Sequence, residues 1–529
     1  MSFTKSHRWA LAGILLVALV LRVWGIGFGL PQANGRPDET AIAGPAVTFL
    51  SGNFEPPYFM YPTGFMYALS GVYVAYYEVT RPWASYKTLA DFAESRRRNL
   101  APFLLISRAI SVLFGVLTVF WIYRLGTRTA DRAVGLMSAG FLAVAFLHVR
   151  DSHFGVTDAT MTALVVLTVD LIARWQQSGA AAMAARAGLI GGLAMGTKYN
   201  GLGVVVPFAV AAVERVAAKW RARNSATPEV WSSALFLVIL FAVFLAGTFY
   251  IFIEPDRFMS DVTAQGQTLR AGHGIAMARG WIYHARVTLP LALGWPMFIA
   301  GIAGVLWWLR EDVRRAAVAF AFPVAYYVVA GNGHTVFARY MLPVLPFLCL
   351  GAGYAAVRFV EMSAAESAAA RQRAALIAIG VLIALPTAAK SVQIDRLFSR
   401  TDNRVVVTAE LGNLLAPDAI VYQSGSSFGR AQWPASIRIH ERTFDEATGQ
   451  FDPNAPDWLL IQRSPVRQYS EIPPRVASLL GTSYELVRSF PVGDDRPRIY
   501  DQQDAFFLPL AGLDGLDRPG PSFELYKKK

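Results

Sequence analysis

The feature that most constrains this chain is a series of long apolar segments. A helix that crosses a membrane needs about 20 mostly apolar residues. Eleven candidates lie at 9–28, 103–123, 133–149, 159–173, 187–200, 202–218, 231–253, 288–309, 316–331, 339–358 and 374–390. Only 16% of the 529 residues are charged, whereas soluble domains average about 25%. The sequence therefore predicts a polytopic α-helical membrane protein.

One further apolar stretch, residues 60–80, decides the topology. It is rich in tyrosine, which suits a helix that lies in the membrane interface. If it lies there, the arginine-rich loops between the later segments fall on the same side as Lys5 and Arg8. Positive loops mark the cytoplasmic side. We therefore predict a cytoplasmic N-terminus in the plasma (inner) membrane, and the net charge of +12 needs no nucleic-acid partner.

The composition changes to that of a soluble domain at about Ser391. We predict a membrane domain over 1–390, with a first outer loop at 29–102, and a small α/β domain over 391–529. With eleven spans, this second domain is extracytoplasmic, and we expect it to recognise an acceptor or dock a partner. Its predicted helices are 402–415 and 470–481, and its predicted strands are 419–423, 435–440, 457–462, 483–490, 498–501 and 522–527.

Two adjacent carboxylates stand out in the stretch Gly35-Arg36-Pro37-Asp38-Glu39-Thr40, which follows the first apolar segment. Charge beside hydrocarbon is costly and is usually kept for function. The alternative is capping, because Asp and Glu favour the first turn of a helix. We predict that Asp38 is a catalytic carboxylate, while Glu39 is left to assist it, to bind a metal or to face away.

The predicted topology gathers most other reactive side chains on the outer face, while the cytoplasmic loops carry mainly arginine. An enzyme acting outside has no easy access to cytosolic nucleotide sugars, so a membrane-anchored activated donor is expected. A transporter or flippase of lipid-linked sugars is an alternative, although it should place its charged sites near the bilayer midplane. A non-catalytic membrane scaffold is another.

Five short stretches occur in an order that is more telling than any one of them. They are Pro37-Asp38-Glu39, Phe54-Glu55-Pro56-Pro57-Tyr58-Phe59-Met60-Tyr61-Pro62-Thr63, Arg150-Asp151-Ser152-His153 with Asp158, Gly192-Leu193-Ala194-Met195-Gly196-Thr197-Lys198-Tyr199-Asn200-Gly201, and Ala338-Arg339-Tyr340-Met341-Leu342-Pro343. This series, roughly within residues 9–390, resembles GT-C superfamily glycosyltransferases of the protein O-mannosyltransferase and aminoarabinose transferase branch (family 39-like). The resemblance implies a GT-C fold with interfacial helices. It also implies sugar transfer from a polyprenyl-phosphate-linked donor to a lipid, glycan or protein acceptor.

The resemblance also implies roles for single residues. An acidic residue of the first outer loop acts in the family as base or positions the acceptor, and by position this is Asp38. The leaving phosphate needs cations to stabilise its charge, and the candidates are Lys198, Arg339 and Arg270. The alternative for Arg339 is that it reaches out to the lipid headgroups.

A third set of side chains is predicted to contact acceptor or substrate: Asp158, His153, Tyr61, Tyr199 and Tyr340. Asp158 can instead pair with Arg150 and cap its helix, and the tyrosines can simply anchor the protein in the membrane.

Cofactor chemistry is left open. His153 and His334 can hold a divalent metal with Asp38 or Asp158, but interfacial histidines are more often structural, so no cofactor is required. The loop 254–287 is predicted to act as a mobile lid, because long loops in compact proteins are often functional.

Overall fold

The computed structural model describes residues 3–97, 99–363, 368–434 and 436–529. The chain divides into two compact units. The first comprises the residues up to Val23, Ile42–Arg97 and Ile106–Val392. The second comprises Trp24–Ala41, Arg98–Leu105 and Gln393–Lys529. The start of the predicted first outer loop therefore belongs to the same unit as the C-terminal part of the chain.

Helices dominate the first unit, and each predicted apolar segment is helical over most of its length. In chain order the helices are α1 (Phe3–Val23), α2 (Pro37–Thr48), α3 (Gly64–Thr80), α4 (Leu89–Arg97), α5 (Ala101–Thr129), α6 (Arg132–Val144), α7 (Phe146–Asp151), α8 (Thr157–Ser178), α9 (Ala181–Thr197), α10 (Val205–Arg221), α11 (Thr227–Gly247), α12 (Pro255–Ala271), α13 (Gly280–Tyr283), α14 (Leu289–Leu293), α15 (Trp295–Glu311), α16 (Val313–Ala330), α17 (Leu345–Ser363), α18 (Ala369–Phe398), α19 (Asn403–Leu414), α20 (Arg467–Ser470) and α21 (Pro474–Leu479).

The membrane-spanning character is clear, but the number of spans differs from the prediction. Among the described residues, six helices are long and apolar enough to cross a membrane, or seven if the bent pair Gly280–Leu293 and Trp295–Glu311 is one span. The predicted count of eleven is therefore not confirmed. One physical reason is length, because α6 and α9 have only 13 and 17 residues.

The segment predicted as one span over 133–149 is broken between α6 and α7. Arg22 lies buried beside the break and donates to the carbonyl oxygens of Leu142 and Ala143, at 3.2 and 3.0 Å. It also donates to Nδ1 of His148, at 2.8 Å. The last carbonyls of a helix lack partners within the helix. The guanidinium supplies those partners and so stabilises the break.

The prediction of a long loop over 254–287 was wrong for its first half. Pro255 occupies the first turn of α12, where its fixed φ suits a helix and its missing N–H costs nothing. The helix runs to Ala271 and stops at Gly272, whose φ of +98° favours glycine. This half of the segment is therefore an ordered element with many exposed side chains.

The second unit is built on one six-stranded sheet. Its strands are β1 (Ala419–Gln423), β2 (Ile439–Asp445), β3 (Gln450–Asp452), β4 (Trp458–Arg463), β5 (Tyr484–Phe490) and β6 (Ser522–Lys528), in the order β3-β2-β1-β4-β6-β5. Strand β1 is parallel to β2 and β4, and the other pairs are antiparallel. The predicted α/β class of this part of the chain is confirmed.

Side chains cover both faces of this sheet. Val407 and Leu411 of α19 share a core with Leu525 on one face, whereas Val476 of α21 packs with Ile461 on the other. Burial of such side chains contributes about 1.5–3 kcal/mol each. The strands β1, β4 and β6 are therefore covered on both faces, whereas the middle of β5 is exposed.

Several boundaries in the second unit differ from the prediction. The strand expected at 435–440 lies at Ile439–Asp445, because residues 436 and 437 form a turn in which the N–H of Ile437 donates to the carbonyl of Pro434. Position 435 of that prediction lies outside the described residues. The strand expected at 498–501 is a single bridge between Ile499 and Ala511, and β3 was not predicted. The helix expected at 470–481 is shortened to Pro474–Leu479.

Candidate functional site

The carboxylates Asp38 and Glu39 both lie in the first turn of α2, directly after Pro37. This is where the capping alternative places them, since the positive end of the helix dipole stabilises acidic groups. Their environments differ. Glu39 is fully buried, whereas a quarter of the Asp38 side chain is exposed. Asp38 is therefore the carboxylate that a substrate can reach from solvent.

Capping does not account for the arginine that contacts Asp38. Arg36 is fully buried, and its Nη1 lies 2.5 Å from Oδ1 of Asp504, whose side chain is 6% exposed. Its Nη2 lies 3.5 Å from Oδ2 of Asp38, and its guanidinium is 5.5 Å from the ring centre of Phe506. The same guanidinium thus joins a buried carboxylate to an exposed one. Hydrogen bonds between charged groups are stronger and more directional than neutral ones, so Asp38 is held in place.

The segment that carries Asp38 is also fixed through its backbone. Gln32 and Gln432 exchange two hydrogen bonds, each from a nitrogen of one to an oxygen of the other, at 3.2 and 2.9 Å. Arg404 donates to the carbonyl of Asn34 at 3.2 Å, while Asp402 accepts from its guanidinium at 2.7 Å. Residues before α2 are therefore an integral part of the second unit.

In the first unit, the predicted phosphate-binding Lys198 forms an ion pair. Its Nζ lies 2.6 Å from Oδ1 of Asp158, and the two side chains are 13% and 5% exposed. The ammonium also lies 5.5 Å from the ring centre of Tyr340. Asp158 therefore has Lys198 as its close partner. Arg150, the partner considered from the sequence, contacts Asp151 at 2.6 Å.

Helix α12 joins this region to the loop after α2. Oδ2 of Asp261 accepts from the backbone N–H of Phe59 at 2.7 Å. The hydroxyl of Tyr199 donates to the carbonyl of the same Phe59 at 2.9 Å. Arg257 lies 3.5 Å from Glu55 and also donates to the carbonyl of Pro57. The loop that carries the motif at 54–63 is thus held by one helix that the sequence did not predict.

The same helix contacts the region of Arg339 through its last turn. The backbone N–H of His334 donates to the carbonyl of Leu269 at 3.0 Å, which places the exposed Arg270 next to this loop. Arg339 itself is 7% exposed, and its guanidinium lies 4.2 Å from the ring centre of Phe337. Its charge is therefore enclosed by protein instead of reaching into headgroups.

The two histidines proposed as metal ligands have structural contacts. Nδ1 of His153 lies 2.9 Å from the carbonyl of Val149, and Nδ1 of His334 lies 2.9 Å from the carbonyl of Met277. A carbonyl can only accept, so both Nδ1 atoms carry a hydrogen. No group of three or more His, Cys, Asp or Glu side chains that could hold a metal occurs in the described ranges. Within those ranges His153 and His334 belong to no such group.

The structure thus joins Lys198, Asp158 and Tyr340 in the first unit, and Asp38 and Glu39 lie together in the second. Tyr61 is partly buried close to Phe59 in the chain. The sequence analysis did not identify the contacts of Arg36 with Asp504 and Asp38, or that of Asp261 with Phe59. Arg36 belongs to the stretch Gly35–Thr40 that was singled out in the sequence. Its position two residues before Asp38 was the one signal that could have indicated this contact.

Comparisons with known proteins agree with this architecture. Residues 105–246 match the family model for dolichyl-phosphate-mannose-protein mannosyltransferase. No curated protein sequence matches the chain significantly. The structure of ArnT from Cupriavidus metallidurans in the apo state is similar, with a TM-score of 0.53 and 14% identity over 92% of this chain and 97% of that one.

A second similar structure is the oligosaccharyltransferase AglB from Archaeoglobus fulgidus in complex with an inhibitory peptide and a dolichol-phosphate. The TM-score is 0.53 and the identity 13%, over 81% of this chain and 63% of that one. The chain thus spans less than two thirds of the archaeal protein it matches. The polytopic GT-C fold is established, and the resemblance to the GT-C superfamily, in the mannosyltransferase and aminoarabinose transferase branch, is confirmed.

Proposed function

We propose that the chain is an integral membrane glycosyltransferase that moves a sugar from a polyprenyl-phosphate carrier to an acceptor at the extracytoplasmic face of the plasma membrane. The observation that carries the proposal is the exposed carboxylate of Asp38, held by a buried arginine that is itself tied to Asp504. The family match over 105–246 and the GT-C fold support the reaction class. The dolichol-phosphate in the complex of AglB supports a lipid-linked donor.

In the proposed reaction a hydroxyl or amine of the acceptor attacks the anomeric carbon of the sugar. Asp38 takes the proton from the attacking group as the new bond to that carbon forms. The bond between the anomeric carbon and the phosphate oxygen breaks, and its electron pair leaves with the polyprenyl phosphate. A single in-line displacement of this kind inverts the anomeric configuration.

The negative charge of the leaving phosphate is stabilised, in this proposal, by cationic side chains of the first unit. A lysine ammonium has three N–H donors, and Lys198 uses one of them on Asp158. Two remain for a phosphate, with Asp158 holding the ammonium in a fixed orientation. Arg339 is the second cation and the exposed Arg270 the third. No step is assigned to a metal ion.

Contacts with acceptor or substrate are proposed for His153, Tyr61, Tyr199 and Tyr340. The hydroxyl of Tyr199 donates to the carbonyl of Phe59, which supports a place for it beside the loop at 54–63. The ring of Tyr340 lies beside the ammonium of Lys198, which supports a place for it at the donor phosphate.

The test uses the full chain in lipid nanodiscs, with undecaprenyl phosphate carrying tritiated mannose, glucose or aminoarabinose as donor and an envelope extract as acceptor. Release of undecaprenyl phosphate is measured, because it does not depend on the acceptor's identity. We expect Asp38→Asn to lower the rate by about 10²–10⁴-fold, the usual contribution of a positioned base.

Asp91→Asn is the matched control. Asp91 is also a carboxylate in a first helical turn, that of α4, and it is exposed. It should leave the rate unchanged. Full activity in a folded Asp38→Asn variant would refute the base assignment. Movement of the labelled lipid across the bilayer without any release of undecaprenyl phosphate would favour the transporter alternative.

A further inference from the structure

The second unit contains a cavity of about 630 Å³ where helix α18 ends. The last turn of that helix, which includes Arg396, and the residues just beyond it, which include Arg400, form one wall, and the loop at 513–518 forms another, which includes Arg518. This volume lies within the usual range for ligand pockets, about 300–1,000 Å³. We call these three residues the pocket arginines.

The pocket arginines differ from several other arginines of the same unit. Arg404, Arg463 and Arg488 each lie within 2.9 Å of a carboxylate oxygen. Within the part of the chain that the structure describes, none of the pocket arginines forms an ion pair. Three arginines that have no carboxylate partner in the described residues therefore line the cavity.

Two carboxylates also line the cavity, and neither lies at ion-pair distance from an arginine there. Asp514 accepts from the amide of Gln393 at 2.9 Å, and Asp517 is the other. The positive and negative side chains that line the cavity therefore do not neutralise one another through ion pairs. The guanidinium N–H groups remain available as donors, and the three arginines outnumber the two carboxylates.

Phosphate is the ligand group that suits such a wall, because the planar guanidinium binds it through two parallel hydrogen bonds. The cavity is much larger than a phosphate ion, and Leu397, Leu513 and Leu516 supply apolar lining. Its occupant should therefore combine phosphate with less polar atoms. The predicted last span ends at residue 390, and Arg396 lies six residues later on the same helix, α18. Six residues of helix are about 9 Å long, so Arg396 lies close to the end of that span.

We propose that this cavity binds the phosphate-bearing headgroup of a membrane lipid or of a phosphorylated small molecule. None of its lining residues belongs to the segment that carries Asp38. The proposal concerns binding alone and does not rest on the proposed sugar transfer.

The test compares the full chain in detergent with a variant in which all three pocket arginines are changed to glutamine. The control variant removes the same charge elsewhere in the second unit, by Arg438→Gln, Arg467→Gln and Arg475→Gln, which are all exposed. The probes are short-chain phosphatidylglycerol, short-chain phosphatidylcholine and inorganic phosphate. Native mass spectrometry counts the bound molecules, and fluorescence titration gives the affinity.

We expect one phosphatidylglycerol to bind wild type and control with equal affinity, and at least tenfold more weakly to the pocket variant. Weak binding of inorganic phosphate would then identify a lipid headgroup as the ligand. Equal loss of phosphatidylglycerol and inorganic phosphate would identify the phosphate group itself. If the pocket variant binds both probes as the control does, or phosphatidylcholine binds equally well, the proposal is overturned.

Discussion

Asp504→Asn tests whether the buried arginine really holds the proposed base. The substitution keeps the shape of the side chain and removes its charge. It leaves the fully buried guanidinium of Arg36 with a neutral acceptor at the 2.5 Å contact. Hydrogen bonds to charged groups contribute about 1.5–3 kcal/mol, so a local loss of about 2 kcal/mol is expected.

Hydrogen exchange at the amides of residues 35–41 measures this loss directly. Since 1.36 kcal/mol corresponds to a factor of ten, about 2 kcal/mol should raise the local exchange rate about thirtyfold. Release of undecaprenyl phosphate should fall further than stability alone predicts, because a displacement of about 1 Å in a catalytic group can cost 10²-fold. Asp445→Asn, at the exposed end of β2 in the same unit, should change neither quantity.

The double variant Arg36→Met with Asp504→Leu separates positioning from stability. Replacing a buried ion pair with apolar residues of similar size is often neutral or stabilising. We expect slow amide exchange to return in this variant, while transfer stays low because Asp38 has lost its arginine. If transfer returns with stability, or if Asp504→Asn alters neither exchange nor transfer, the positioning argument is refuted.

Three further outcomes follow from the geometry. Lys198→Met should lower the free energy of unfolding by about 3–5 kcal/mol, because it leaves the buried Asp158 without its partner; adding Asp158→Leu should restore the melting temperature in detergent but not transfer. Gly304→Ala should destabilise the contact between α15 and α17, since a Cβ there would overlap the carbonyl oxygen of Gly351; thermal unfolding measures this. Gly140→Ala, where a Cβ meets no atom within 4 Å, should be neutral or slightly stabilising under the same assay.

The helical part of the fold could be predicted because long apolar runs have few other solutions in a membrane. The break between α6 and α7 could not, because its cause lies elsewhere in the chain. Arg22 is 120 residues before Leu142, whose carbonyl it binds. A local window over 133–149 is apolar apart from Ser138 and His148, and such a run indicates a continuous helix.

The candidate site, too, could be predicted from the sequence only in part. Asp38 could be singled out because charge next to an apolar segment is conspicuous in the sequence. Its surroundings could not be predicted, since Asp504 follows Arg36 by 468 positions and nothing local relates them. The short strand β3 and the shifted β2 were missed because pairing partners, more than local preference, decide where a strand begins.

The buried arginine of the first helix has a consequence for how the protein is made. When α1 leaves the ribosome, the carbonyls of Leu142 and Ala143 that Arg22 will bind do not yet exist. At about 5–20 residues per second, the 120 residues to Leu142 take about 6–24 s. Over that time the guanidinium in the last turn of α1 lacks these carbonyl partners. The contacts that bury Arg22 are therefore completed only after α6 has been synthesised.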